Sequence, residues 1–200
     1  MTQFKIASVA IALLLSVPAV AADRDKAAAI KGAGAQSCEN FVASRKEKKE
    51  LYGIYVSWLQ GMLSGYNLMA ADTYDIAAWQ TPELMAYFLD QFCQKNPTIP
   101  FGQASSELIK ALVPMRVEER SDIVTFTSSS DSKVQIPIYK EILRRVQREL
   151  AKRGHYDSVA DGIPGPRTEQ ALKDFQKERG IAVTGIPDQV TLVLLFEQKK

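Results

Sequence analysis

Histidine and cysteine are almost missing from this chain: its 200 residues hold one histidine, His155, and two cysteines, Cys38 and Cys93. A zinc hydrolase draws its ligands chiefly from imidazoles and thiolates, so such a site is hard to assemble here. A Cys–His nucleophile needs a free thiol beside an imidazole, and His155 is remote in sequence from both cysteines. Ser158 stands near His155, but short local spacing does not make a hydrolytic triad. No glycine-rich phosphate loop and no calcium loop is present, and no pattern asks for a cofactor or a metal. Neither sign of charge dominates, with 25 basic and 23 acidic side chains. Residues 22–138 are slightly acidic and residues 139–200 slightly basic. Neither half has the dense basic stripe of a nucleic-acid binder. Paired carboxylates for glycan cleavage are not excluded by counting, although no cleft signature accompanies them.

Long apolar runs are also scarce, with one exception at the start. Lys5 is followed by a nearly unbroken apolar stretch over 6–20, then Ala19-Val20-Ala21. That order of a charged end, an apolar run and small residues is the order of a secretory signal. The run is shorter than the roughly 20 residues that a bilayer span needs. The expectation is an exported chain cut after Ala21, delivered to a periplasm; an uncleaved membrane anchor is the competing reading. No later segment is long and apolar enough to cross a membrane. In an oxidising compartment an even cysteine count favours pairing. A Cys38–Cys93 bridge is the simple expectation, and two free thiols the alternative.

Residues 22–36 are small and polar, and read as a flexible leader. Residues 37–120 read as helical. Leu51, Ile54, Tyr55, Trp58, Met62, Tyr66 and Met69 recur at steps of three and four, the spacing of one helical face. Gly61 and Gly65 would let another helix come close. Thr81, Pro82 and Glu83 are a cap, a first helical residue and a favourable first-turn charge. Leu84, Tyr87, Phe88 and Phe92 would then be buried, and Asn96-Pro97 would end the helix. A further helix after Pro100 would turn Ala104, Leu108, Ile109 and Leu112 inward. With Cys38 near the start of the first helix and Cys93 near the end of the third, a bridge would pin those two together. Residues 121–136 are rich in Ser and Thr and read as a linker, with at most a short strand at Val124 and Phe126. No internal repeat is evident.

From residue 138 the pattern sharpens. Ile138, Ile142, Leu143, Val146 and Leu150 share a face, with Gly154 as the stop. Turns at Asp161-Gly162 and Pro164-Gly165-Pro166 lead into a second helix that buries Ala171, Leu172 and Phe175. Thr184-Gly185 turns again, and Asp188 caps a third helix carrying Val190, Leu192, Leu194 and Leu195. The expectation is an all-α chain: a helical domain over 37–120, a linker over 121–136 and a three-helix bundle over 137–200.

The order Val146-Gln147, Leu150, Gly154, Asp161-Gly162, Gly165-Pro166-Arg167-Thr168, Ala171-Leu172, Phe175-Gln176, Gly180, Thr184-Gly185, Asp188 and Thr191-Leu192 resembles the peptidoglycan-binding-like domain family over about 140–197. The resemblance implies a three-helix fold and a cell-wall ligand. Most of the motif reads as scaffold: Asp161 would hold its turn, Thr168 would cap the second helix and Phe175 would anchor the core. Tyr156, Arg167 and Gln176 are the leading candidates for ligand contact, able to meet a sugar face, a carboxylate and an amide. Asp161 and Thr168 are further candidates for the same surface. His155, Ser158 and Pro164 depart from the family pattern in the loop before the second helix. Domains of this shape also serve as docking modules without wall affinity.

Residues 38–113 bear a looser likeness. Cys38, Tyr55-Val56-Ser57-Trp58-Leu59-Gln60-Gly61, Gly65-Tyr66-Asn67, Phe92-Cys93, Asn96-Pro97 and Ala104 resemble HdeA-type acid chaperones and Tai-type immunity proteins, which implies a partner-binding helical fold. Trp58 and Tyr66 are contact candidates there, with core positions the simpler reading. The combined expectation is a non-enzymatic envelope protein that holds peptidoglycan through its C-terminal module. Residues 37–120 would present a surface to another envelope protein. The competing expectation is a cell-wall hydrolase or a regulator of one.

Overall fold

Ser37 accepts a hydrogen bond from the Asn40 N–H at 3.3 Å and so caps the first helix, satisfying a donor that a helix start leaves open. The computed structural model describes residues 28–47, 50–129 and 134–196. The expected export signal, its cleavage site and the first part of the leader lie outside the described residues. Residues 1–30 group separately from 31–200; of that first group, 28–30 are described and carry no regular structure. Among the described residues seven α-helices and one hairpin occur. They are α1 (Cys38–Glu47), α2 (Glu50–Met69), α3 (Pro82–Lys95), α4 (Phe101–Leu112), β1 (Ile123–Thr127), β2 (Gln135–Tyr139), α5 (Lys140–Lys152), α6 (Pro166–Glu178) and α7 (Gln189–Phe196). None is long and apolar enough to cross a membrane.

The caps expected from the sequence are in place around α3. Thr81 accepts from the Leu84 N–H, Pro82 opens the helix and Glu83 sits in the first turn. The Asn96 N–H closes the last turn on the Phe92 and Cys93 carbonyls. Cys38 and Cys93 are joined, with Cα atoms 4.9 Å apart, so α1 is pinned to α3. Beside the bridge, the Cys38 and Glu39 N–H groups donate to the Ile99 and Pro97 carbonyls, and Phe101 donates to Gln36. Phe41, Tyr55 and Phe101 meet at the centre of the first core, with ring centroids 4.7–5.4 Å apart.

Two faces differ from the expectation. In α2 the buried side chains are Tyr55, Leu59 and Leu63, whereas Leu51, Ile54 and Met69 are exposed, Met69 at 83%. The helix is apolar nearly all round, so periodicity does not single out one centre, and the packing of α1, α3 and α4 selects it. In α3 the buried apolar residues are Met85, Ala86, Leu89 and Cys93, while Tyr87 and Phe88 face outward. Cys93 must face α1 to form its bridge, and residues four, seven and eight places before it follow it inward. Trp58 and Tyr66 are partly buried against the first core. The second half of the supposed leader is docked rather than loose. Gly32–Ala35 form a 3-10 turn, Gly34 lies directly beneath the Trp58 indole, and the indole N–H donates to the Lys31 carbonyl at 2.9 Å.

The Ser/Thr-rich segment is likewise structured. β1 and β2 pair antiparallel with Phe126 opposite Ile136 and Val124 opposite Ile138. Phe126 and Ile138 are buried in the second core beside Ile142, Leu143, Val146, Leu150, Leu172, Phe175 and Leu195. The expected linker is thus a hairpin, with the short strand at Val124 and Phe126 as its first arm; one large side chain per strand suffices once a ladder satisfies the backbone. The two cores belong to one compact unit. Val117 and Asp75 exchange backbone hydrogen bonds, and the Thr81 N–H donates to Gln189 at 3.0 Å. Arg145 donates to the Met115 and Arg116 carbonyls.

Candidate ligand surface of the C-terminal module

Gln147 on α5 and Gln176 on α6 occupy equivalent positions in two copies of one device. The Gln147 amide donates to Asp161 Oδ1, the Ile163 carbonyl and Thr168 Oγ1, and its oxygen accepts from the Gly162 N–H at 2.7 Å. The Gln176 amide donates to Thr184 Oγ1, the Ile186 carbonyl and Thr191 Oγ1, and its oxygen accepts from the Gly185 N–H at 2.8 Å. Each glutamine therefore ties one helix to the turn and first coils of the next. Gly162 and Gly185 both have positive φ, at 73° and 69°. A side chain on Gly162 would also collide with the Lys140 carbonyl. The sequence carries the signal of this duplication: Gly162-Ile163-Pro164 with Thr168 recurs as Gly185-Ile186-Pro187 with Thr191. The reading that found no internal repeat is corrected on this point, because the copies share only the few residues the turn requires.

This geometry sorts the candidate contact residues. Gln176 and Thr168 are buried and their polar atoms are engaged within the module. Neither faces a ligand, and Thr168 accepts from Gln147 instead of capping α6, whose cap position is Gly165. Tyr156, Asp161 and Arg167 remain at the surface around the loop before α6. The Tyr156 ring is half-buried against the second core and its hydroxyl donates to the Val159 carbonyl at 3.2 Å. Arg167 is exposed and donates to Ser158 Oγ at 3.2 Å. Asp161 accepts from the Ile163 N–H at 2.8 Å. That bond, against a smaller opposing effect of desolvation, and the Gln147 amide hold its carboxyl below the usual carboxylate range. Val159 and Ile163 are exposed beside these groups. The patch thus combines an aromatic edge, two aliphatic side chains, one cation and one anion, a mixture suited to sugar faces flanked by charged peptide groups.

His155 does not join Ser158. Its Nε2 lies 2.6 Å from Glu178 Oε2, and its ring stands edge-on to Phe175. Among the described residues no three His, Cys, Asp or Glu side chains are grouped to hold a metal ion. One structural residue was invisible to sequence reasoning. Glu169 on α6 is buried, pairs with Lys173 at 2.8 Å and accepts from both the Ser129 hydroxyl and the Ser129 N–H, so it fastens the hairpin to the module.

Residues 140–195 match the peptidoglycan binding domain family, which covers α5, α6 and nearly all of α7. No curated protein and no solved structure matches the chain.

Proposed function

We propose that this protein is an exported, periplasmic envelope protein that binds peptidoglycan through residues 140–195 without cleaving it. The family match over those residues carries the reading. The exposed Asp161 and Arg167 and the half-buried Tyr156 around one loop support a contact surface there. Export rests on the residue order of positions 1–21, and the Cys38–Cys93 bridge accords with an oxidising compartment. The helical part, residues 37–120, presents a surface to another envelope protein. In support, α2 turns Gly53, Gly61 and Gly65 to open space, beside exposed Ile54 and Leu68. The single histidine, paired with Glu178, and the bridged cysteines support the non-enzymatic reading against metal and thiol chemistry.

The test is sedimentation of the purified chain with insoluble peptidoglycan. Arg167→Ala and Tyr156→Ala should each weaken retention about tenfold, the scale of losing one charge-assisted or stacking contact. The melting temperature should be unchanged in Arg167→Ala, and Tyr156→Ala, whose ring packs against the second core, is assayed below its own melting temperature. Retention equal to the parent in the double variant would remove this loop from the binding surface. Clearing in a zymogram on purified sacculi would overturn the non-enzymatic assignment.

A further inference from the structure

Trp79, Met115 and Phe196 stand where the helical part meets the C-terminal module, and two depressions share them as a common wall. On one side an apolar groove of about 560 Å³ runs between α3, α4 and α7, lined by Phe88, Phe92, Leu108, Ala111 and Val193. Among the described residues, Gln80 and Glu107 are its only polar side chains besides the Trp79 indole, and Glu107 is paired with Lys110. On the other side a cleft of about 820 Å³ carries Arg145, Arg148, Lys152 and Arg153 against Glu149 and Glu178. Both of those acids are engaged, Glu149 by Lys152 and Glu178 by His155. The single carboxylate of Glu141 is shared by Arg144, Arg145 and Arg148. Arg153 donates to the Leu195 carbonyl, but its Nε, out of water, finds no acceptor among the described residues. Among the described residues, positive charge is therefore in excess beside a slot that offers almost nothing to a polar group.

We propose that this composite site holds a phosphate-headed single-chain amphiphile, with the alkyl chain in the groove and the head against Arg148 and Arg153. An alkyl chain brings no polar atoms to satisfy, which fits the lining. A phosphate monoester carries roughly −1.5 to −2 charge, which suits several under-neutralised guanidiniums better than a carboxylate does. The groove has the size of small-ligand sites, which run from about 300 to 1,000 Å³. A protein partner would need about 800 Å² of its own surface covered, far beyond this lining. The site also lies between two packed cores, where ligand pockets concentrate.

Calorimetric titration of the full chain below the micelle concentration tests this with dodecyl phosphate, dodecanoate, dodecyltrimethylammonium and inorganic phosphate. Dodecyl phosphate should bind one to one, about tenfold or more tighter than the other two amphiphiles, and inorganic phosphate should not bind. Arg148→Gln should weaken dodecyl phosphate about tenfold, and Ala111→Trp, a change at an exposed position, should abolish binding by filling the groove. Both variants should sediment with peptidoglycan as the parent does, which separates this site from the wall-binding loop. Equal affinity for the cationic amphiphile or for dodecanoate would overturn the assignment of the head. Unchanged affinity in Ala111→Trp, or no binding of dodecyl phosphate at all, would overturn the site.

Discussion

Gln147 and Gln176 show how little the amide side chain resembles a surface residue once it is enclosed. Each makes four hydrogen bonds inside the module, so removing either strips this partner from a glycine N–H, an isoleucine carbonyl and a threonine hydroxyl (Thr168 or Thr191). Leaving buried polar groups unpaired costs about 1–3 kcal/mol per group. Gln176→Leu should lower unfolding stability by about 3 kcal/mol, read from the urea midpoint, and Gln147→Leu by a similar amount. Arg167→Ala, at an exposed site, should leave the midpoint in place. From the chain alone Gln176 looked like a group free to meet a ligand amide; the fold consumes it. Asp161 and Arg167 stand exposed, because polar residues in and just after a turn are ones a small core does not enclose, whereas the Tyr156 ring is shared between the surface and the second core.

At the scale of elements, the helices were the readable part and the hairpin was not. Thr81-Pro82-Glu83, Asn96 and Gly154 mark boundaries through bonds between near neighbours, so the sequence shows them. β1 and β2 are held by contacts distant in sequence, above all between Ser129 and Glu169. Burial alone would raise the Glu169 carboxyl, but Lys173 and Ser129 overcome it and hold the group below its usual value. The folded state thus favours the carboxylate. Its stabilisation is complete above the ordinary glutamate value of about 4.3 and is lost as pH falls through the lowered folded value. Thermal melts from pH 6 to pH 3 should show a smaller acid-induced loss in Glu169→Gln than in the parent. An identical loss would assign the acid sensitivity to other groups, such as Glu141, where the Arg145 and Arg148 bonds outweigh burial and lower the carboxyl in the same way.

Across the whole molecule, one bridge and one seam decide how the parts behave together. Cys38 and Cys93 are 55 residues apart in sequence, and closing a loop of that size restricts the unfolded chain by about 4 kcal/mol in the loop-entropy account. Cys38→Ser with Cys93→Ser should lower the melting temperature by roughly 10 °C, and reductant should reproduce that in the parent. At the seam, Tyr139 packs on Tyr74; burial first, then Asp75 and Tyr74, push its hydroxyl up to about 12. The hairpin, the Gln189 bonds to the Thr81 N–H and the Trp79 carbonyl, and this tyrosine make one body of what reads in sequence as two domains and a tether.

The amino-acid sequence by itself determined the helices, their caps and the turn motifs of the C-terminal module, because each is set by residues a few positions apart, and the cysteine pair, because the chain holds only two. Only the tertiary structure decided which faces of α2 and α3 are buried, that residues 123–139 fold onto the module, and that Gln176 is scaffold. Those outcomes depend on which distant surface covers a side chain, and an apolar or amide group reads the same in sequence whether or not something comes to cover it.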